Sequence, residues 1–184
     1  MKRLFVAVPV SEEVKERIKP VLSELSKTGA DLKLVPLSHL HFTLKFLGDV
    51  DEKIIPEIEK KLVEIAARTK TFEVLVTGIG VFPPLERINV LWIGVENPNL
   101  VSLMKAVGKE LDFVRKDDPS EDVAHLTIAR VKTGRNKKEL QELVKKNEKK
   151  EFSTMKVDKI ILFESELTRE GPVHKVVKEF EFNL

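Results

Sequence analysis

The chain has 184 residues, 42% of them hydrophobic and 34% charged, and its 32 basic against 30 acidic side chains leave a formal charge of only +2. That is enough apolar material for one sizeable core or two small fused lobes, and a charge so nearly balanced announces no polyanion partner, so local placement has to decide the matter. With no cysteine in the sequence, disulfides, thiol nucleophiles and thiolate-held zinc or iron are excluded, while the heavy use of Lys and Glu suits a protein from a hot environment.

The first ten residues begin like a signal peptide, with the basic pair Lys2-Arg3. The apolar stretch is short, however, and Ser11-Glu12-Glu13 stands where a small-residue cleavage site would be. Leu4 to Val8 therefore reads as a core strand closed by Pro9. No apolar run approaches a membrane span, and the expectation is a cytoplasmic monomer. Ser11 is placed to cap a helix whose Val14, Ile18, Val21, Leu22 and Leu25 recur at helical spacing, and Pro20 is expected to kink or split it. Gly29 ends that segment, and Leu32 to Val35 is a brief extended piece.

From His39 to Leu47 the pattern alternates, with His41, Thr43 and Lys45 on one face and Leu40, Phe42, Leu44 and Phe46 on the other. Asp51 to about Arg68 predicts an amphipathic helix through Ile54, Ile58, Leu62 and Ile65, its first turns disturbed by Pro56. Phe72 to Val76 and Asn89 to Val95 read as strands on either side of a Pro83-Pro84 turn. Asn97 is placed to cap a helix ending near Phe113. Val123 to Val131 predicts a strand and Lys137 to Lys146 a short helix, and further strands are expected at Phe152, over 157–163 and over 173–182. A His-x-Thr strand, a helix and a strand pair recur in that order in both halves. Two related α/β lobes in one chain, each a split βαβ unit, account for this better than two independent domains.

The chemistry centres on His41-Phe-Thr43-Leu and His125-Leu-Thr127-Ile. Residues i and i+2 of a strand share a face, so two such strands facing each other would surround one cavity with two imidazoles and two hydroxyls. One imidazole can accept a proton while the other donates one, and threonine hydroxyls can hold phosphate oxygens without adding negative charge. A single pair would be no signal; two in matched positions are. His39 is expected to be peripheral, His174 to lie at the surface and Trp92 to sit in the core. A zinc trio of His39, His41 and His125 would find no Asp or Glu on the motif strands to complete it.

These motifs resemble those of the two-histidine phosphoesterase superfamily, specifically the archaeal and bacterial RNA 2',3'-cyclic phosphodiesterases also called 2'-5' RNA ligases. The resemblance runs through Leu4-Phe-Val-Ala-Val8, His41-Phe-Thr-Leu-Lys-Phe-Leu-Gly48, Gly80-Val-Phe-Pro83, Val90-Leu-Trp-Ile-Gly94 and His125-Leu-Thr-Ile-Ala-Arg130. It implies an α+β fold over residues 1–184, a single bilobal catalytic domain with intertwined, pseudo-symmetric ferredoxin-like lobes and antiparallel sheets around a central groove. It also implies an enzyme that needs neither metal nor cofactor and opens RNA 2',3'-cyclic phosphate ends to 2'-phosphates, with reversible 2'-5' joining of tRNA halves as a related activity.

By the resemblance His41 is the general acid and His125 the general base, labels between which the residues themselves do not choose, and Thr43 and Thr127 hold the phosphate. Arg130 would bind phosphate in preference to standing in a surface salt bridge, Phe82 would stack a terminal base or sit in the core, and Arg87 would contact the RNA backbone or be simply solvated. The basic residues Lys132, Arg135, Lys137 and Lys138, and then Lys145, Lys146, Lys149 and Lys150, can be the solvated face of a helix, but following directly on the second motif strand they read rather as a guide for RNA. Two rival readings remain open: a phosphodiesterase for a small cyclic nucleotide, and an RNA-binding module without turnover, although the aromatic-rich strands of such modules are missing.

Overall fold

The structure, a computed structural model, describes residues 1–183 apart from 96, 117–122 and 170. In chain order the elements are β1 (Lys2–Pro9), α1 (Glu12–Lys27), β2 (Leu32–Leu34), β3 (His41–Val50), α2 (Ile55–Arg68), β4 (Phe72–Phe82), β5 (Val90–Val95), α3 (Pro98–Glu110), β6 (His125–Val131), α4 (Lys137–Lys146), β7 (Glu151–Val157), β8 (Lys159–Thr168) and β9 (Gly171–Glu181). Short 3-10 turns occupy Leu37–His39, Glu52–Ile54 and Leu85–Arg87.

The caps behave as their side chains dictate. The Ser11 hydroxyl accepts from the Val14 amide at 3.3 Å, and the Asn97 side chain accepts from Asn99 and Leu100 at 2.9 and 3.2 Å. Pro56 falls in the first turn of α2, where its missing N–H costs nothing. Pro20, expected to divide the first helix, does not: α1 runs unbroken from Glu12 to Lys27. Its buried stripe of Val14, Ile18, Val21, Leu22 and Leu25 is anchored on both sides of the proline. Burial on the order of 1.5–3 kcal/mol per large side chain offsets the local loss. β4 extends well past Val76 because Gly78, in the left-handed region at φ +71°, lets the strand bulge and continue.

The nine described strands pair antiparallel throughout and fall into two sheets, with one isolated parallel bridge between Lys70 and Asn183. One has the order β3-β1-β8-β9, the other β2-β6-β5-β4-β7. α2 and α3 pack on the first and α1 and α4 on the second, so the fold is the two-lobed α+β arrangement expected. The lobes do not follow the halves of the sequence, however. β4 and β5, which come after the first His-x-Thr strand, join the sheet of the second, while β8 and β9 return to β1. The strand expected over 157–163 is two strands meeting at Asp158, where the chain passes from one sheet to the other. A local pattern specifies an element and its apolar face; it carries no information about which distant edge will pair with it.

Candidate active site

His41 opens β3 and His125 opens β6, and these two strands touch where the lobes meet. Each ring is fixed in the same way. Nδ1 of His41 lies 2.7 Å from the carbonyl oxygen of His39, and Nδ1 of His125 lies 2.7 Å from that of Val123. A carbonyl only accepts, so Nδ1 donates in both cases and Nε2 is left as the nitrogen that can exchange a proton. Thr43 and Thr127 follow on the same faces and are half-buried.

Immediately after each threonine the strand bulges. Against β1, His41 pairs Pro9 and Thr43 pairs Ala7, but the next residue in step is Phe46, opposite Phe5. Against β5, His125 pairs Gly94 and Thr127 pairs Trp92, and the next in step is Arg130, opposite Val90. One extra residue reverses the alternation. The third groove-facing position of each strand is therefore five residues past its histidine, Phe46 in one lobe and Arg130 in the other.

This corrects the expected faces of β3. Lys45 does not join His41 and Thr43; it is 1% exposed, and its ammonium donates to the Gly108 carbonyl of α3 at 3.0 Å. Phe46, expected in the core, is 44% exposed. Arg130 is the next residue in step after Thr127 on the groove face, and it is exposed.

The two walls around the histidines differ. The His41 ring lies 4.9 Å from Phe5, 6.2 Å from Phe163 and 5.4 Å, edge-on, from His174. This enclosure lowers its pKa to about 4, chiefly because burial disfavours the charged ring. The hydrogen bond to His39 opposes the shift, and the charges of His174, His39 and His125 add to it. His174 is itself lowered, by burial and then by His39. On the other wall Phe82 meets the His125 ring edge-on at 5.2 Å, with Trp92 at 6.4 Å, and Phe82 and Trp92 lie 5.1 Å apart. A Cβ on Gly80 would stand 2.1 Å from the Trp92 ring, so only glycine lets the indole lie across β4.

Two further expectations change. His174 is not a surface residue but a half-buried part of the His41 wall, carried there by the pairing of His174 with Ser165 beside β1. Nothing in its immediate neighbours in sequence signals this. Trp92 is not in the core but on the groove face in register with Thr127; the clue in the sequence is glycine at 80 and 94, which clears room beside it. His39, expected to be peripheral, lies in the turn before β3, but its carbonyl orients His41 and its half-buried ring stands 5.1 Å from that of His174. Arg87 lies in the 3-10 turn after β4, exposed. Among the described residues no group of three or more His, Asp or Glu side chains is disposed to hold a metal ion.

Two antiparallel lobes, with one strand-borne His-x-Thr from each meeting at their seam, define a two-histidine phosphoesterase. The LigT-like phosphoesterase family model matches the chain twice, over residues 8–92 and 93–174, one histidine motif in each copy, and the chain belongs to that family. Among its relatives is the RNA 2',3'-cyclic phosphodiesterase of Methanocaldococcus jannaschii, 36% identical over 97% of this chain and 99% of that one. In three dimensions it is similar to TT0787 of Thermus thermophilus, with a TM-score of 0.82 at 25% identity, covering 98% of this chain and 97% of that one. Escherichia coli LigT complexed with phosphate shares the fold at a TM-score of 0.74 and 19% identity, over 100% of this chain and 98% of that one.

Proposed function

We propose that this protein opens 2',3'-cyclic phosphate ends of RNA to 2'-phosphates by acid–base catalysis between His41 and His125, without a metal. The observation that carries this reading is the matched pair of imidazoles, each anchored through Nδ1 to a carbonyl two residues back, each beside a threonine, on strands in contact. Kinship with the M. jannaschii phosphodiesterase over nearly the full length supplies the substrate.

In the reaction, Nε2 of His125 takes a proton from water, the water oxygen bonds to phosphorus, and the bond to the 3'-oxygen breaks as Nε2 of His41 gives that oxygen a proton. Thr43 and Thr127 donate to the non-bridging oxygens, Arg130 adds its guanidinium, and Phe82 offers an aromatic face to the terminal base. Phe46, exposed on the opposite wall, offers a second face. The depressed pKa of His41 means that its ring is neutral in the free protein at neutral pH. The phosphodiester's own negative charge favours the imidazolium, which is the direction the acid's role requires. An RNA 5'-hydroxyl in place of water gives 2'-5' joining with the same proton movements, and tRNA halves are substrates of that form.

Incubation of an oligonucleotide bearing a 2',3'-cyclic phosphate with the protein and EDTA should yield a 2'-phosphate end. A 3'-phosphate product or a strict metal requirement would sink the reading. A substrate with sulfur in place of the bridging 3'-oxygen separates the roles, because a thiolate leaves without a proton. It should restore turnover to His41→Ala and not to His125→Ala; the opposite rescue would exchange the two labels.

A further inference from the structure

Beyond the groove, the turn after β4 and the segment after β6 enclose a cleft of about 270 Å³, lined among others by Arg87, Asn89, Lys132, Thr133, Arg135 and Lys137. Its walls are direct continuations of the groove. The Asn89 amide donates to the Phe82 carbonyl at 2.8 Å, and the Val131 amide to the Asn89 carbonyl at 2.8 Å. Phe82 and Arg130 thus lie one hydrogen bond or one peptide from the cleft. The 85–89 turn is also tied down to α4, because Gln141 donates to the Leu85 carbonyl at 2.6 Å and Lys137 to that of Glu86. The cleft is preformed.

Its charge is positive and available. Among the described residues Glu86 is the one acidic side chain in the lining, and Arg87, Lys132 and Arg135 form no ion pair with any of them. Farther along α4, by contrast, Lys146 is paired with Glu24 of α1 at 3.5 Å. Cations gathered in a concave site reinforce one another's field and draw anions to it.

We infer that this cleft is a second anion site that binds the backbone phosphates of a single RNA strand upstream of its cyclic end. The inference rests on the proposed function. β6 sets the spacing: His125 stands at its start and Lys132 just past its end. At about 3.3 Å per residue the two are roughly 20 Å apart, the reach of a few nucleotides, with Arg130 between them on the groove face. A cyclic mononucleotide cannot reach the cleft, whereas a strand of several nucleotides does.

The test compares a cyclic mononucleotide with an octanucleotide bearing the same cyclic end, using the parent and the double variant Lys132→Gln, Arg135→Gln. Loss of two phosphate contacts should raise KM for the octanucleotide roughly fivefold to tenfold at moderate salt and flatten its logarithmic salt dependence by about 1.4. Turnover of the mononucleotide should be unchanged. Equal effects on both substrates, or none on either, would overturn the inference. Fluorescence anisotropy with a labelled octanucleotide lacking the cyclic phosphate keeps the two readings apart. If the parent turns over neither substrate, the proposed function fails, while weaker binding by the variant would still uphold the cleft and equal binding would still reject it.

Discussion

The two walls of the groove begin from the same four-residue pattern and end in different environments. On the β3 wall, Phe5, Phe163 and His174 close around His41, and the third position in step is Phe46. On the β6 wall, Phe82 and Trp92 meet His125 from the side, and the third position is the cation Arg130. In the proposed reaction the duplicated motif supplies the reacting groups, and the strands beside it set the surroundings of each. The β3 wall sets a neutral imidazole among apolar rings, whereas the β6 wall adds a cation to its own aromatic pair.

The sharpest way to break this comparison is to remove the histidines in turn. His41→Ala and His125→Ala should each lower kcat by roughly 10²–10⁴-fold toward cyclic-ended RNA. The double variant should fall far short of the product of the two losses, because the pair acts as a unit. Multiplicative losses would mean independent roles.

A second measurement isolates the enclosure of His41. Its folded pKa of about 4 lies below the ordinary imidazole value of about 6.5, so the folded state holds the neutral ring while the unfolded chain takes up a proton. The associated stability is complete above about 6.5 and is lost as pH falls through about 4. At 1.36 kcal/mol per unit this is on the order of 3 kcal/mol. Urea unfolding of the parent should therefore weaken more steeply than that of His41→Gln between neutral pH and pH 4. Identical slopes would show that the His41 wall is open to water.

Exchanging the third positions gives smaller effects. Arg130→Gln should cost about 1.5–3 kcal/mol in binding inorganic phosphate or a 2'-phosphate end, the range for hydrogen bonds to charged groups. Phe46→Leu should weaken nucleotide binding by about 1 kcal/mol, the lower end of base–aromatic stacking, and should leave inorganic phosphate unaffected. Phosphate binding that responds equally to both substitutions would erase the distinction between the walls.

The site is legible in the sequence to the extent that strand periodicity governs it. His41, Thr43, His125 and Thr127 obey alternation, and their faces can be read directly. Past each threonine that rule stops, because a bulge inserts one residue, and Leu44-Lys45 and Ile128-Ala129 carry nothing that announces it. Alternation alone would bring Lys45 to the groove and turn Arg130 away; Arg130 is reached only through family resemblance. The helices are legible because their caps and apolar stripes are local. Lobe membership is not, since the return of β8 and β9 to β1 and the capture of β4 and β5 by β6 depend on edges far away in sequence. His174 escapes a local reading for the same reason.

The interleaving of the sheets bears on how the groove operates. Only Asp158 separates β7 in one sheet from β8 in the other, and its carbonyl accepts from the Phe182 amide at 2.7 Å. The chain also passes between the sheets around β2 and again after β3. Four covalent crossings between two sheets that share no ladder tether the lobes at several points and restrain the swing of one against the other. The chain's own path is thus the clasp that holds the two histidine walls together.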